Sequence, residues 1–203
     1  QIMTGDRIGL AAASADQIAA VAHELADAAR IETLKLFRSS DLRPDNKAAS
    51  GFDPVTEADR ASERAMRAVL AQRRPGDAIL GEEYGAKPGE SGLTWVLDPI
   101  DGTRAFMSGA PSWGVLIGLS DARGPVYGII DQPHLDERFE GGLGRAVLSG
   151  RGQQVPLATR RGIALAQAKL TLPLGQEAFA IANNLSGVCV KHGQRGCVIA
   201  CID

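Results

Sequence analysis

The chain has 203 residues, 44% of them hydrophobic and 23% charged, with a formal net charge of -2. That length can bury a proper core and holds one or two domains; the apolar share excludes a disordered tail, and the charge balance offers no broad basic surface for nucleic acid. No apolar run approaches the roughly 18 residues of a membrane span, and the start lacks the basic-then-apolar order of a signal peptide, so no membrane partner is expected and the cytoplasm is the predicted compartment.

In chain order, Ile18, Val21, Leu25, Ala28, Leu34 and Phe37 recur at helical spacing, which predicts a long amphipathic helix over Ser14 to Phe37, with Ser14-x-x-Gln17 as a capping box. Ser39 to Phe52 is rich in Ser, Asp, Asn, Gly and Pro and reads as a loop or short hairpin. A second helix follows, with Ala61, Ala65, Val69 and Leu70 on its stripe, Thr56 near its cap and Arg74-Pro75-Gly76 at its end. Ala78-Ile79-Leu80 is a short strand leading into Gly81-Glu82-Glu83-Tyr84-Gly85. Thr94 to Leu97 is another, expected to end in a sharp turn at Asp98. Trp113 to Leu119, Gly124 to Ile130 and Glu137 to Glu140 are β-rich runs separated by turn residues, an antiparallel meander, and Arg145 to Gly152 carries a further hairpin signal. Helices first and strands after predict an α+β fold in which the N-terminal helix pair covers one face of an antiparallel sheet.

The chemistry gathers around Trp95-Val-Leu-Asp98-Pro-Ile-Asp101-Gly-Thr103. Asp98, the Ile100 carbonyl and Asp101 at one turn suit a hard divalent cation, which takes oxygen ligands, and Gly102 lets the backbone come close to whatever that cation binds. Each companion piece has an ordinary explanation when taken singly. Gly81-Glu82-Glu83 reads as a solvated turn, Asp59 as a partner of a helix dipole, and Arg104 either as a substrate contact or as a solvated side chain. Phe106 and Trp113 read first as core, and Tyr84 as wall or core.

Together, Asp53-x-Val-Thr56-x-x-Asp59, Gly81-Glu82-Glu83 and Asp98 to Thr103, in that order, resemble the inositol monophosphatase superfamily of magnesium-dependent phosphatases. Gly-Glu-Glu-Tyr-Gly85, Thr103-Arg-Ala-Phe-Met-Ser-Gly109 and Asp131-Gln-Pro-x-x-x-Glu-Arg138 look most like its histidinol-phosphate phosphatase branch. The resemblance implies a layered αβαβα sugar-phosphatase-like fold and hydrolysis of a small phosphorylated alcohol, of histidinol phosphate or inositol phosphate type, by a metal-activated water. It implies Mg²⁺ held by Glu82, Asp98, the Ile100 carbonyl and Asp101. Thr103, hydrogen-bonded to Asp59, would position or deprotonate the water together with Glu82. The Gly102 and Thr103 amides, and Arg104, would meet the phosphate or substrate. The implied partner is a small phosphorylated metabolite, and the implied assembly is a homodimer.

The expected organisation is an N-terminal α+β metal- and phosphate-binding domain over 1–150 and a partial or altered α/β domain over 151–203. The family's late Trp-Asp-x-Ala motif, whose Asp serves a second metal, has no match: Trp95 and Trp113 are the only tryptophans and neither precedes an Asp. Glu82, Asp98 and Asp101 then bring three negative charges against the four positive charges of two Mg²⁺ ions, which leaves the second ion weakly held. The pattern weakens past Gly162 and changes character near Thr171. Cys189, Cys197 and Cys201, read as free thiols, all lie beyond that point. The tail is thus expected to be a truncated or frameshifted second domain. The alternative to an active phosphatase is a catalytically impaired remnant that binds a cation or a phosphate.

Overall fold

The computed structural model describes residues 15–46 and 54–158. Ser14 of the expected capping box, Asp53 and the cysteine-bearing tail lie outside the described residues. The elements are α1 (Ala15–Leu36), β1 (Pro44–Asn46), β2 (Pro54–Thr56), α2 (Glu57–Arg73), β3 (Ala78–Gly81), β4 (Gly85–Lys87), β5 (Thr94–Asp101), α3 (Thr103–Ser108), β6 (Gly114–Asp121), β7 (Gly124–Gln132), β8 (Glu137–Gly142), β9 (Arg145–Gly150) and β10 (Gln153–Pro156). Within the predicted loop or hairpin after α1 lies β1, which pairs antiparallel with β2 just beyond that segment.

Both long helices arise from apolar stripes. On α1, Ile18, Val21, Ala22, Leu25, Ala26 and Ala29 are buried at helical spacing; on α2 the buried stripe includes Ala58, Met66 and Leu70. The helices pack along each other and share one core with Ile79, Trp95, Leu97, Val115, Ile117, Leu119, Tyr127 and Ile129 of the sheet. The strands alternate accordingly: Trp95 and Leu97 are buried beneath the helices while Val96 between them is 40% exposed.

The large sheet has the order β10-β9-β8-β7-β6-β5-β3-β4. Its pairings are antiparallel except that of β3 with β5, which is parallel, so the sheet is mixed where the sequence suggested an antiparallel one. The reason is β4, a short hairpin partner that occupies the outer edge of β3 and sends the chain back to begin β5 on the other side. The sheet also continues past residue 150 to Pro156.

A buried ionic strap ties α1 to the meander. Asp131, with no accessible surface, takes Nε and Nη2 of Arg30 at 2.8 and 3.0 Å and Nε of Arg138 at 2.7 Å. Arg138 also donates to Asp27 at 2.7 Å and to His23 Nδ1 at 2.9 Å. Since a guanidinium can only donate, that ring nitrogen is an acceptor, and the His23 proton sits on Nε2, which donates to Glu140 at 3.1 Å. The Asp131 to Arg138 segment singled out in the sequence thus has a packing task. Burial opposes ionisation of Glu140, but hydrogen bonds from Tyr127 and His23 outweigh it and hold the carboxyl below its usual range.

A second, smaller core lies beneath the expected site. Phe37, Ala58, Ile100, Phe106 and Trp113 are buried together, with Phe106 edge-on to Trp113 at 4.8 Å between centroids. Phe106 and Trp113 are core residues, and the His134 ring meets Phe37 at a tilt of 58° with centroids 4.8 Å apart. This wedge fixes the Ile100 side chain, and with it the stretch from Asp98 to Asp101.

Candidate active site

β5 does not stop at Leu97, as the sequence suggested, but runs through Asp101 with an irregularity. Asp98 faces Leu116 and Asp101 faces Gly114, so three steps on β5 oppose two on β6. The extra residue is a β-bulge, and Pro99, which has no N–H to give a ladder, sits inside it. In a regular strand, residues three apart point to opposite faces; the bulge restores the parity, and Asp98 and Asp101 come to one face.

Asp98 Oδ1 is buried without a hydrogen-bond partner. Burial first, then the charge of Glu82 and a hydrogen bond with it, then the charges of Asp101 and Asp59, push the Asp98 carboxyl up to about 8. Solvent reaches Asp101, yet the surrounding protein and Glu82 raise its carboxyl as well. A hydrogen bond between two carboxyls needs a proton, and here that proton stands where positive charge is wanted.

Glu82 arrives through strand pairing. Gly81 lies beside Leu97 across the parallel pair, and the Glu82 N–H donates to the Leu97 carbonyl at 3.1 Å. β3 and β5 therefore deliver Glu82 and Asp98 side by side. Residues 82 to 84 form the turn between β3 and β4, with Gly85 at φ +65°, the left-handed position that three-residue hairpins require.

Asp59 caps α2. Its Oδ2 accepts the Thr56 N–H at 2.8 Å and the Thr56 hydroxyl at 2.6 Å, while Thr56 Oγ1 accepts the Ala58 N–H, a reciprocal capping box. The Thr103 hydroxyl donates to the Ile100 carbonyl at 3.1 Å, which leaves that carbonyl a second lone pair. Gly102 precedes α3 at φ +88°, and a methyl group there would lie 3.0 Å from the Ser112 carbonyl oxygen. Only glycine suits both the dihedral and the space. Arg104 is exposed on α3, and Tyr84 is exposed with its hydroxyl taking Arg64 Nη1 at 2.7 Å.

The structure thus brings Glu82, Asp101 and Asp59 within electrostatic reach of Asp98, with Thr103 on the adjoining carbonyl. The donors fit a hard divalent cation in kind: carboxylate oxygens, one carbonyl, and one buried oxygen lacking a partner. Among the described residues, no three such groups converge closely enough to grip an ion as they stand.

Sequence reasoning missed Glu63 and Arg67, which hold the Glu82 turn from α2. No sequence signal marked them: that a methyl group at Gly81 would lie 1.8 Å from Glu63 Oε1 is visible only in the fold.

A family model described as the inositol monophosphatase family matches residues 14–192. A histidinol-phosphatase from Mycobacterium tuberculosis is 42% identical over 125 residues, which is 62% of this chain and 47% of that protein. An inositol-1-monophosphatase from Mycobacterium bovis is 38% identical over 150 residues, 70% of this chain and 51% of that one. Among solved structures, an inositol monophosphatase from Zymomonas mobilis superposes with a TM-score of 0.61 at 43% identity, over 77% of this chain and 58% of its own. The chain spans about half the length of the curated relatives it matches.

Proposed function

This chain belongs to the inositol monophosphatase family, and on that footing we propose that it is a Mg²⁺-dependent phosphomonoesterase acting on a small phosphorylated alcohol. The observation that carries the reading is the bulge, which puts Asp98 and Asp101 on one face with Glu82 alongside and leaves Asp98 Oδ1 buried without a partner. Histidinol phosphate and inositol monophosphate are the preferred candidates, because the relatives named for those substrates align here.

Glu82, Asp98, the Ile100 carbonyl and Asp101 would hold Mg²⁺. When bound, the ion supplies positive charge for a phosphate dianion and lowers the pKa of water. The protein's own groups do the positioning. Thr103, anchored on the Ile100 carbonyl, and Asp59, fixed in its capping box, orient the attacking water, and Glu82 takes its proton. The amides at the start of α3, at Gly102 and Thr103, hold phosphate oxygens, as helix N-termini do. Arg104, on the exposed side of α3, meets the substrate. Such help is needed because phosphate monoesters are among the slowest esters to hydrolyse unaided, with enzymatic accelerations reaching about 10²¹.

The test is release of inorganic phosphate from histidinol phosphate and from inositol monophosphate in the presence of Mg²⁺. Release from either supports the reading; silence with both, from a folded and Mg²⁺-loaded chain, removes it. The second reading is a chain that binds a cation or phosphate without turnover. It draws on carboxylates that do not converge among the described residues. Saturable Mg²⁺ binding without phosphate release would favour it. We further propose a cytoplasmic homodimer, which gel filtration with light scattering and cell fractionation would test.

A further inference from the structure

We propose, resting on the function above, that Glu63 is a positioning residue: its buried carboxylate holds the Glu82 turn so that Glu82 stands beside Asp98 ready for a divalent cation.

Glu63 lies on α2 one turn beyond Asp59 and has no accessible surface. Its Oε2 accepts the Glu83 N–H at 2.7 Å; its Oε1 accepts the Tyr84 N–H at 3.3 Å and Arg67 Nε at 2.7 Å. Arg67 Nη2 donates onward to the Gly85 carbonyl at 2.5 Å, and Arg64 reaches the Tyr84 hydroxyl. α2 therefore grips residues 83, 84 and 85, while the Leu97 carbonyl holds the Glu82 N–H.

A carboxylate is the side chain this task requires. Two backbone N–H groups converge on one buried point, and a carboxylate offers an oxygen to each with charge-assisted strength. A carboxamide offers one oxygen and turns its NH₂ against the other donor. Helix packing alone does not call for the charge, because a buried ion pair can often be replaced by apolar side chains without loss of stability. Gly81 is explained by the same carboxylate. A methyl group there would lie 1.8 Å from Glu63 Oε1 and 2.4 Å from its Cδ, so the turn closes over Glu63 only with glycine at its start. Because Gly81 sits beside Leu97 in the sheet, slack in this turn moves Glu82 relative to Asp98.

The experiment titrates Mg²⁺ calorimetrically into the full chain as wild type, Glu63→Gln and Asp77→Asn. Asp77 is the control: a buried carboxylate bonded to Arg74 and to Trp95 Nε1, away from the turn. Glu63→Gln is expected to weaken Mg²⁺ binding by about 10–100-fold, the usual cost of losing a partner that orients a ligand. Its kcat should recover at high Mg²⁺ with KM for the ester unchanged, whereas Asp77→Asn should lower Tm and leave the Mg²⁺ Kd alone. Amide exchange provides a readout that does not depend on the metal: the Glu83 and Tyr84 amides should be protected in the wild type and speed up in Glu63→Gln. A folded Glu63→Gln with wild-type Mg²⁺ affinity overturns the inference alone. A wild type that binds no Mg²⁺ overturns the function and this inference with it. If Glu63→Gln does not fold, the wild-type exchange decides: protection supports the proposal, and free-turn rates at Glu83 and Tyr84 overturn it.

Discussion

Asp98 and Asp101 stand on the same face of the sheet, although three residues apart on one strand, because β5 carries an extra residue there against β6. This relationship gathers charge that the metal-free protein must tolerate. The first prediction concerns Asp98→Asn, which removes the buried carboxyl but keeps its shape. Mg²⁺ binding and any phosphate release should be lost, while the metal-free variant melts about 2–4 °C higher near pH 8, the shift that roughly 1 kcal/mol produces in a chain of this size. Differential scanning calorimetry with and without Mg²⁺ checks it; a lower metal-free Tm would contradict it.

The pH dependence has a definite sign. Folding raises the Asp98 carboxyl from 3.8 to about 8, so between those values the folded chain keeps a proton that the unfolded chain has released. The group's contribution therefore favours folding most at low pH, declines as pH rises from 3.8 to about 8, and levels off above. A cation must displace that proton, so Mg²⁺ affinity should rise with pH up to about 8 and binding near neutrality should release protons. Calorimetry in buffers of differing ionisation heat would register this; a pH-independent affinity between 6 and 8.5 would contradict it.

The strap around Asp131 should govern stability without touching the chemistry. Asp131→Ala leaves Arg30 with Asp136 and Arg138 with Asp27 and His23 only, which should cost up to about 3 kcal/mol, the low end for breaking a buried ion pair. Urea unfolding should show the loss, while the Mg²⁺ Kd of the folded fraction stays put.

Gly102→Ala tests the turn into α3. Its φ of +88° and the 3.0 Å approach to the Ser112 carbonyl oxygen act together, and such strain costs of order 1–3 kcal/mol. The rate of phosphate release should fall more than the Mg²⁺ affinity, because the displaced amides face the phosphate.

Much of this was legible in the sequence. Helical spacing marked α1 and α2 to within a residue or two, and Asp98-Pro-Ile-Asp-Gly-Thr103 announced itself because Pro and Gly punctuate it. Three features were not legible, each for its own reason. β4 is Gly-Ala-Lys, with none of the residues that favour strands, so the parallel pairing of β3 with β5 that sets Glu82 beside Asp98 could not be foreseen. α3, at six residues, is too short to show a period. Glu63 looked like one polar residue among many on α2, because its partners Glu83 and Tyr84 lie 20 and 21 residues on, and only the closed turn reveals them. The Asp131 to Arg138 segment was visible as a motif, but its bonds to α1 span more than a hundred residues.

The most direct measurement of the central claim is the rate of phosphate release from histidinol phosphate as Mg²⁺ is raised from zero, with wild type and Asp98→Asn side by side. The predicted result is a saturable, Mg²⁺-dependent rate in the wild type and a loss in the variant larger than the cost of removing an outer partner of a ligand, about 10–100-fold. A rate that ignores Mg²⁺, or that survives in Asp98→Asn, would contradict the account.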